Sequence, residues 1–67
     1  MDLNKEKILS IKKALNLTFQ DIANELSLNH RQQPHEWLKY NRVVAADKFA
    51  KVFTRYGFPV DPKDLIK

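Results

Sequence analysis

Arg31, Gln32, Gln33 and His35, close together near the middle of the chain, are side chains suited to reading hydrogen-bonding edges. Gln pairs with N6 and N7 of adenine, and Arg pairs with O6 and N7 of guanine. Polar groups of this kind at the start of a helix are what a DNA major groove accommodates. Other chemistries in the same stretch lack their remaining parts. His30 and His35 are five apart, a spacing that does not align two ligands on one helical face, and the chain has no cysteine to complete a metal site. His35 and Glu36 form an acid–base pair with no third group and no phosphate-cradling glycine loop beside them. No catalysis, metal, cofactor or small-molecule substrate is expected. Taken by itself, the stretch also reads as a solvated polar loop.

The charge around these residues is uneven. The net charge of +4 lies wholly in the centre, where Arg31, Lys39, Arg42, Lys48, Lys51 and Arg55 face only Glu36 and Asp47. Residues 1–28 and 56–67 each balance to zero. A polyanion would dock on the centre, although a basic surface alone also serves solubility. With 67 residues there is room for one small domain and no second core. A core of this size yields a net stability of only about 3–5 kcal/mol, so dimerisation is a natural supplement. The apolar share of 43% against 30% charged residues is that of a chain that folds. The absence of cysteine fits a reducing cytosol, and the longest apolar run, 43–46, is far too short to span a membrane. A soluble cytoplasmic protein without a signal peptide is the expectation.

The elements that would position the polar cluster follow from apolar spacing. Ile8, Ile11 and Leu15, with Ala14 and Leu3 on neighbouring positions of the stripe, predict a first helix, capped by Asp2 or Asn4 and ended by Asn16. Thr18 and Asp21 form a short-armed capping box ahead of Ile22, Ala23 and Leu26, so a second helix starts at Thr18. Ala23 is small enough for another helix to approach, and Ser27, Leu28 and Asn29 supply a turn. This is a helix-turn-helix layout. The third helix runs towards Trp37, Leu38 and Tyr40. Pro34 predicts either a late start or a kink, because proline suits the first helical position and costs about 3 kcal/mol in mid-helix. Residues 41–45 read as a connection, and residues 46–56 as a fourth helix stopped by Gly57. Asp61, Pro62 and Asp64 open a short fifth helix carrying Leu65 and Ile66.

The stretch from Leu17 to Asn29 with Trp37 after it resembles the helix-turn-helix core of Cro-like and phage-repressor-like regulators. An apolar-Thr start, a small residue in the second helix, a turn and a late Trp occur in the family's order. Residues 42–46 and 60–65 are similar to the segments that pack helices 4 and 5 there, so the resemblance covers nearly the whole chain. Ser27 stands where the family usually has glycine, and the stretch from 29 to 37 is one residue longer, with Pro34 inside it.

The resemblance implies an all-α, lambda-repressor-like single domain of about five short helices. It also implies a sequence-specific regulator, a phage or mobile-element repressor that binds double-stranded DNA as a homodimer. Asn29, His30, Arg31, Gln32, Gln33 and His35 would then approach base edges, and Thr18 and Gln20 would hold phosphates. Lys39, Arg42 and Lys48 join the phosphate set by charge and position. Trp37 reads as a core anchor; Phe19, Phe49, Phe53, Tyr56 and Phe58 read as core or dimer surface. The alternatives are a helix-turn-helix-derived protein-interaction module, such as an antitoxin or inhibitor, and a non-specific nucleic-acid binder.

Overall fold

The computed structural model describes residues 1–67 as a small all-helical protein with four α-helices, two 3₁₀ turns and no strands. Helix α1 spans Lys5–Ala14, α2 Phe19–Glu25, α3 Gln32–Lys39 and α4 Ala46–Arg55; the 3₁₀ turns are Val43–Ala45 and Pro62–Leu65. Each helix starts or stops where local chemistry satisfies its end. Asn4 caps α1 by accepting from the Lys7 amide at 3.3 Å. Thr18 and Asp21 cap α2 reciprocally: Thr18 Oγ1 accepts from the Asp21 amide at 3.1 Å, and an Asp21 carboxylate oxygen accepts from the Thr18 amide at 2.9 Å.

All four helices end in a Schellman motif. After α1 the Leu17 amide donates to the Lys12 carbonyl and the Asn16 amide to Lys13; the same pair of bonds links Leu28 and Ser27 to Ala23 and Asn24, Arg42 and Asn41 to Trp37 and Leu38, and Phe58 and Gly57 to Phe53 and Thr54. The motif requires a left-handed residue at its corner. Only α4 uses glycine, Gly57 at φ 91°; the others use Asn16, Ser27 and Asn41 at φ 57°, 58° and 54°. Asparagine tolerates this region better than serine does. Ser27→Gly is therefore expected to stabilise the fold by about 0.5–1 kcal/mol, raising the thermal midpoint by roughly 2–8 °C. Thermal unfolding followed by circular dichroism measures this, and a lowered midpoint would contradict it.

Pro34 does not delay α3, and it sits too early in the helix to break an internal hydrogen bond. It is the third residue of a helix that begins at Gln32, where its missing amide hydrogen would have had no helical partner in any case, and its ring is fully buried. The fifth α-helix of the sequence reading is a single 3₁₀ turn. Asp61 and Pro62 do open it, with the Asp61 amide donating to Asp64 at 3.3 Å, but Ile66 returns to extended backbone at φ −119° and ψ 136°. That extension lets Ile66 pair with Leu3 in an isolated antiparallel bridge, through Asn4 amide to Leu65 carbonyl and Lys67 amide to Asp2 carbonyl, both 2.7 Å. Leu3 thus precedes α1 and is buried by this clasp, while Ala14 is exposed. Asn41 fastens the clasp to the end of α3, its Oδ1 accepting from the Leu3 amide and its Nδ2 donating to Asp2, both at 2.7 Å.

The core centres on α4. Ala46, Phe49, Ala50, Val52 and Phe53 occupy its inner face and meet Ile8 and Ile11 from α1, Ile22 from α2, Leu38 from α3 and Leu65 from the last turn. Phe49 stacks on Phe53, and Trp37 meets Phe49 edge to face with centroids 5.7 Å apart, so the tryptophan anchors α3 to the core. Phe19 is half-buried, whereas Tyr56 and Phe58 are exposed. No helix is long and apolar enough to cross a membrane.

Candidate nucleic-acid interface

Helix α3 has one face committed and one face free. Pro34 and Leu38 are buried and Trp37 half-buried, while Gln32, Gln33, His35, Glu36 and Lys39 are exposed. α3 packs against α2, and the connection between them, residues 26–31, contributes the half-buried Leu26 and Leu28. Of the six residues assigned to base edges, Gln32, Gln33 and His35 lie on the helix. Asn29, His30 and Arg31 lie in the irregular segment just before it and are also exposed. The Gln33 amide donates to the His30 carbonyl at 3.2 Å, tying that segment to the first turn. None of the six side chains makes an internal hydrogen bond or ion pair. The His35 ring packs edge-on to Phe19 with centroids 5.4 Å apart, and the Lys12 ammonium lies 4.5 Å from the centroid of that same Phe19 ring.

The residues assigned to phosphates are only partly gathered around this face. Lys39 lines a shallow groove with Phe19, His35, Leu38, Lys5 and Leu9. Arg42 lines a depression with Gln33, Glu36, Trp37 and Tyr40, so the two cations flank α3 on different sides. Thr18 and Gln20 are exposed at the start of α2 but partly occupied. The Thr18 amide and Oγ1 are engaged with Asp21, which leaves the hydroxyl proton, and Gln20 Nε2 donates to Asn24 at 2.9 Å. Lys48 stands apart from Lys39 and Arg42. It lies on α4 and lines a third groove with Ser27, Leu28, Lys51 and Arg55. Arg55 is drawn into an ion pair with Glu25 at 2.7 Å, which removes it from the free positive charge and joins the ends of α2 and α4.

Glu36 and Tyr40 also belong to this surface, although the sequence reading assigned them no role. Glu36 is one turn after Gln32, a relation that helical spacing reveals once the helix is known to start before Pro34. Tyr40 is 57% exposed and has the Lys39 ammonium 5.4 Å from its ring centroid.

The capping box that opens α2 has an electrostatic signature. Hydrogen bonds from the Thr18 backbone and hydroxyl, helped by the nearby Lys12 charge, hold the Asp21 carboxyl below its ordinary value of 3.8. Its contribution to stability is complete above that ordinary value and is lost as the pH falls through the lower folded value. The stability gap between the wild type and Asp21→Ala should be full at neutral pH and close as the pH drops below 3.8. Urea unfolding across that range checks this; a gap independent of pH would contradict it.

Compared with known proteins, the chain matches no protein-family model, and no curated protein or solved structure is significantly similar to it.

Proposed function

We propose that this protein is a sequence-specific DNA-binding regulator in which α2, the connection and α3 act as a helix-turn-helix, with α3 entering the major groove. The observation that carries the reading is the division of α3. Its inner face is fixed by Pro34, Leu38 and the Trp37–Phe49 contact, and its outer face offers Gln32, Gln33 and His35 with no internal hydrogen-bond partner, the His35 ring resting edge-on to Phe19. Rigid backing with unspent hydrogen-bonding capacity is what direct readout of bases needs. Lys39 and Arg42 flank that face and suit the phosphates on either side of a groove. The resemblance to Cro-like and phage-repressor-like regulators points the same way and favours a repressor acting as a homodimer, for which the exposed Tyr56 and Phe58 are the candidate contact.

Salt dependence tests the reading. Three phosphates neutralised by Lys39 and Arg42 beside α3 and by Arg31 just before it give a log–log slope near −2.7, so affinity should fall about 40-fold per protomer between roughly 50 and 200 mM salt. Fluorescence anisotropy on a labelled duplex measures it. Salt-independent binding, or equal binding of selected and random duplexes at about 150 mM salt, would contradict the reading.

One observation favours a second reading, a protein-interaction module such as an antitoxin or inhibitor. The groove beside α3 exposes Leu9 at 45% and is floored by Phe19 and Leu38, which is apolar surface that DNA does not need.

A further inference from the structure

We propose that Glu36 determines specificity on the outer face of α3: its carboxylate accepts a hydrogen bond from the exocyclic amino group of a cytosine and penalises DNA that offers none. The inference rests on the DNA-binding reading above. Glu36 is the one acid in α3, and it lies within the central segment that carries the chain's whole positive surplus. Gln32 precedes it by four residues and Lys39 follows by three, so the three side chains share the exposed face while Pro34, Leu38 and Trp37 turn inward.

The carboxylate is exposed and unspent. Asp2, Asp21 and Asp64 accept hydrogen bonds that hold the fold together, Glu25 is paired with Arg55, and Glu6 and Asp47, which are likewise unpaired, lie on α1 and α4 rather than on α3. Glu36 has neither a hydrogen bond nor an ion pair. Lys39 is placed to pair with it along the helix, yet its ammonium lies by the Tyr40 ring at 5.4 Å from the centroid. Arg42 shares a depression with Glu36 without pairing with it.

A lone negative charge at the centre of a surface that meets a polyanion weakens binding to every sequence unless it finds a donor. The major groove offers amino donors only from cytosine N4 and adenine N6, and an acidic side chain is matched to cytosine N4, whereas Gln is matched to adenine. Glu36 would therefore weaken binding everywhere and recover the loss only at the right base, which widens the gap between specific and random sites.

The test passes the wild type, Glu36→Ala and Glu36→Gln through selection from a random duplex pool at about 150 mM salt. The wild-type motif should contain a cytosine in each half-site. Glu36→Ala should lose the preference at that position alone, by about 5- to 150-fold, and Glu36→Gln should move it to adenine. Both variants should bind random duplexes about two- to fivefold more tightly, the scale of one charge repulsion in water. Thermal midpoints should hardly change, since the exposed side chain makes no internal hydrogen bond or ion pair. Unchanged motifs in both variants, or a change at a position that is not cytosine, would overturn the proposal and leave the DNA-binding reading standing. If the wild type enriches no motif, both fall together.

Discussion

Alanine at Arg31, Gln32 and Gln33 together is expected to weaken binding of a selected duplex by at least about 100-fold while leaving the fold intact. Each good contact to a base edge contributes roughly 1–3 kcal/mol of discrimination, so losing all three removes at least about 3 kcal/mol, which reaches that figure. The three side chains are exposed and make no internal hydrogen bond, so removing them takes nothing from the core. Binding of random duplexes should fall much less, with a salt slope shallower by about one, because only Arg31 carries charge. Anisotropy on selected and random duplexes separates the two effects. If the triple variant bound the selected duplex as well as the wild type did, and instead lost a protein partner, the interaction-module reading would take over.

Phe49→Ala should unfold the protein. Phe49 is 0% exposed, stacks on Phe53 with centroids 6.1 Å apart and receives the edge of Trp37 at 5.7 Å. Truncating a phenylalanine so enclosed costs about 3–5 kcal/mol, and a core of this size provides only about 3–5 kcal/mol in all. The two figures cancel. At 25 °C the variant should show little cooperative transition in circular dichroism, and its single tryptophan should emit as a solvated one. A cooperative melt near the wild-type midpoint would show that α4 is less central than its burial implies. Because Trp37 ties α3 to Phe49, the same substitution should also abolish DNA binding, unlike the surface triple, which should leave the melt unchanged.

Much of this architecture can be read from the chain because its signals are local. Thr18 with Asp21, Asn4, Asn16 and Gly57 each mark a helix end through bonds reaching only a few residues, and the structure shows those ends in place. The spacing of Phe49, Val52 and Phe53 gives α4 its inner face for the same reason. What could not be read depends on distance. The last turn stays a 3₁₀ turn because Ile66 is held extended against Leu3 at the other end of the chain, and Asn41 serves residues nearly forty positions away. Pro34 misleads because any of the first helical positions can dispense with an amide hydrogen, so the residue type alone does not tell the first position from the third. The candidate site follows the same division. The polar character of residues 29–35 is plain in the sequence, whereas the place of Glu36 among them needs the helix start. The separation of Lys48 from Lys39 and Arg42, and the pairing of Arg55 with Glu25, need the packing of α4.

The central claim is that this chain reads a DNA sequence, and selection of bound duplexes from a random pool at about 150 mM salt tests it most directly. The account predicts enrichment of a short palindromic motif, each half matching one copy of α3, bound at least about 10³-fold more tightly than the starting pool. Recovery of the pool without enrichment, or no recovery at all, would contradict it.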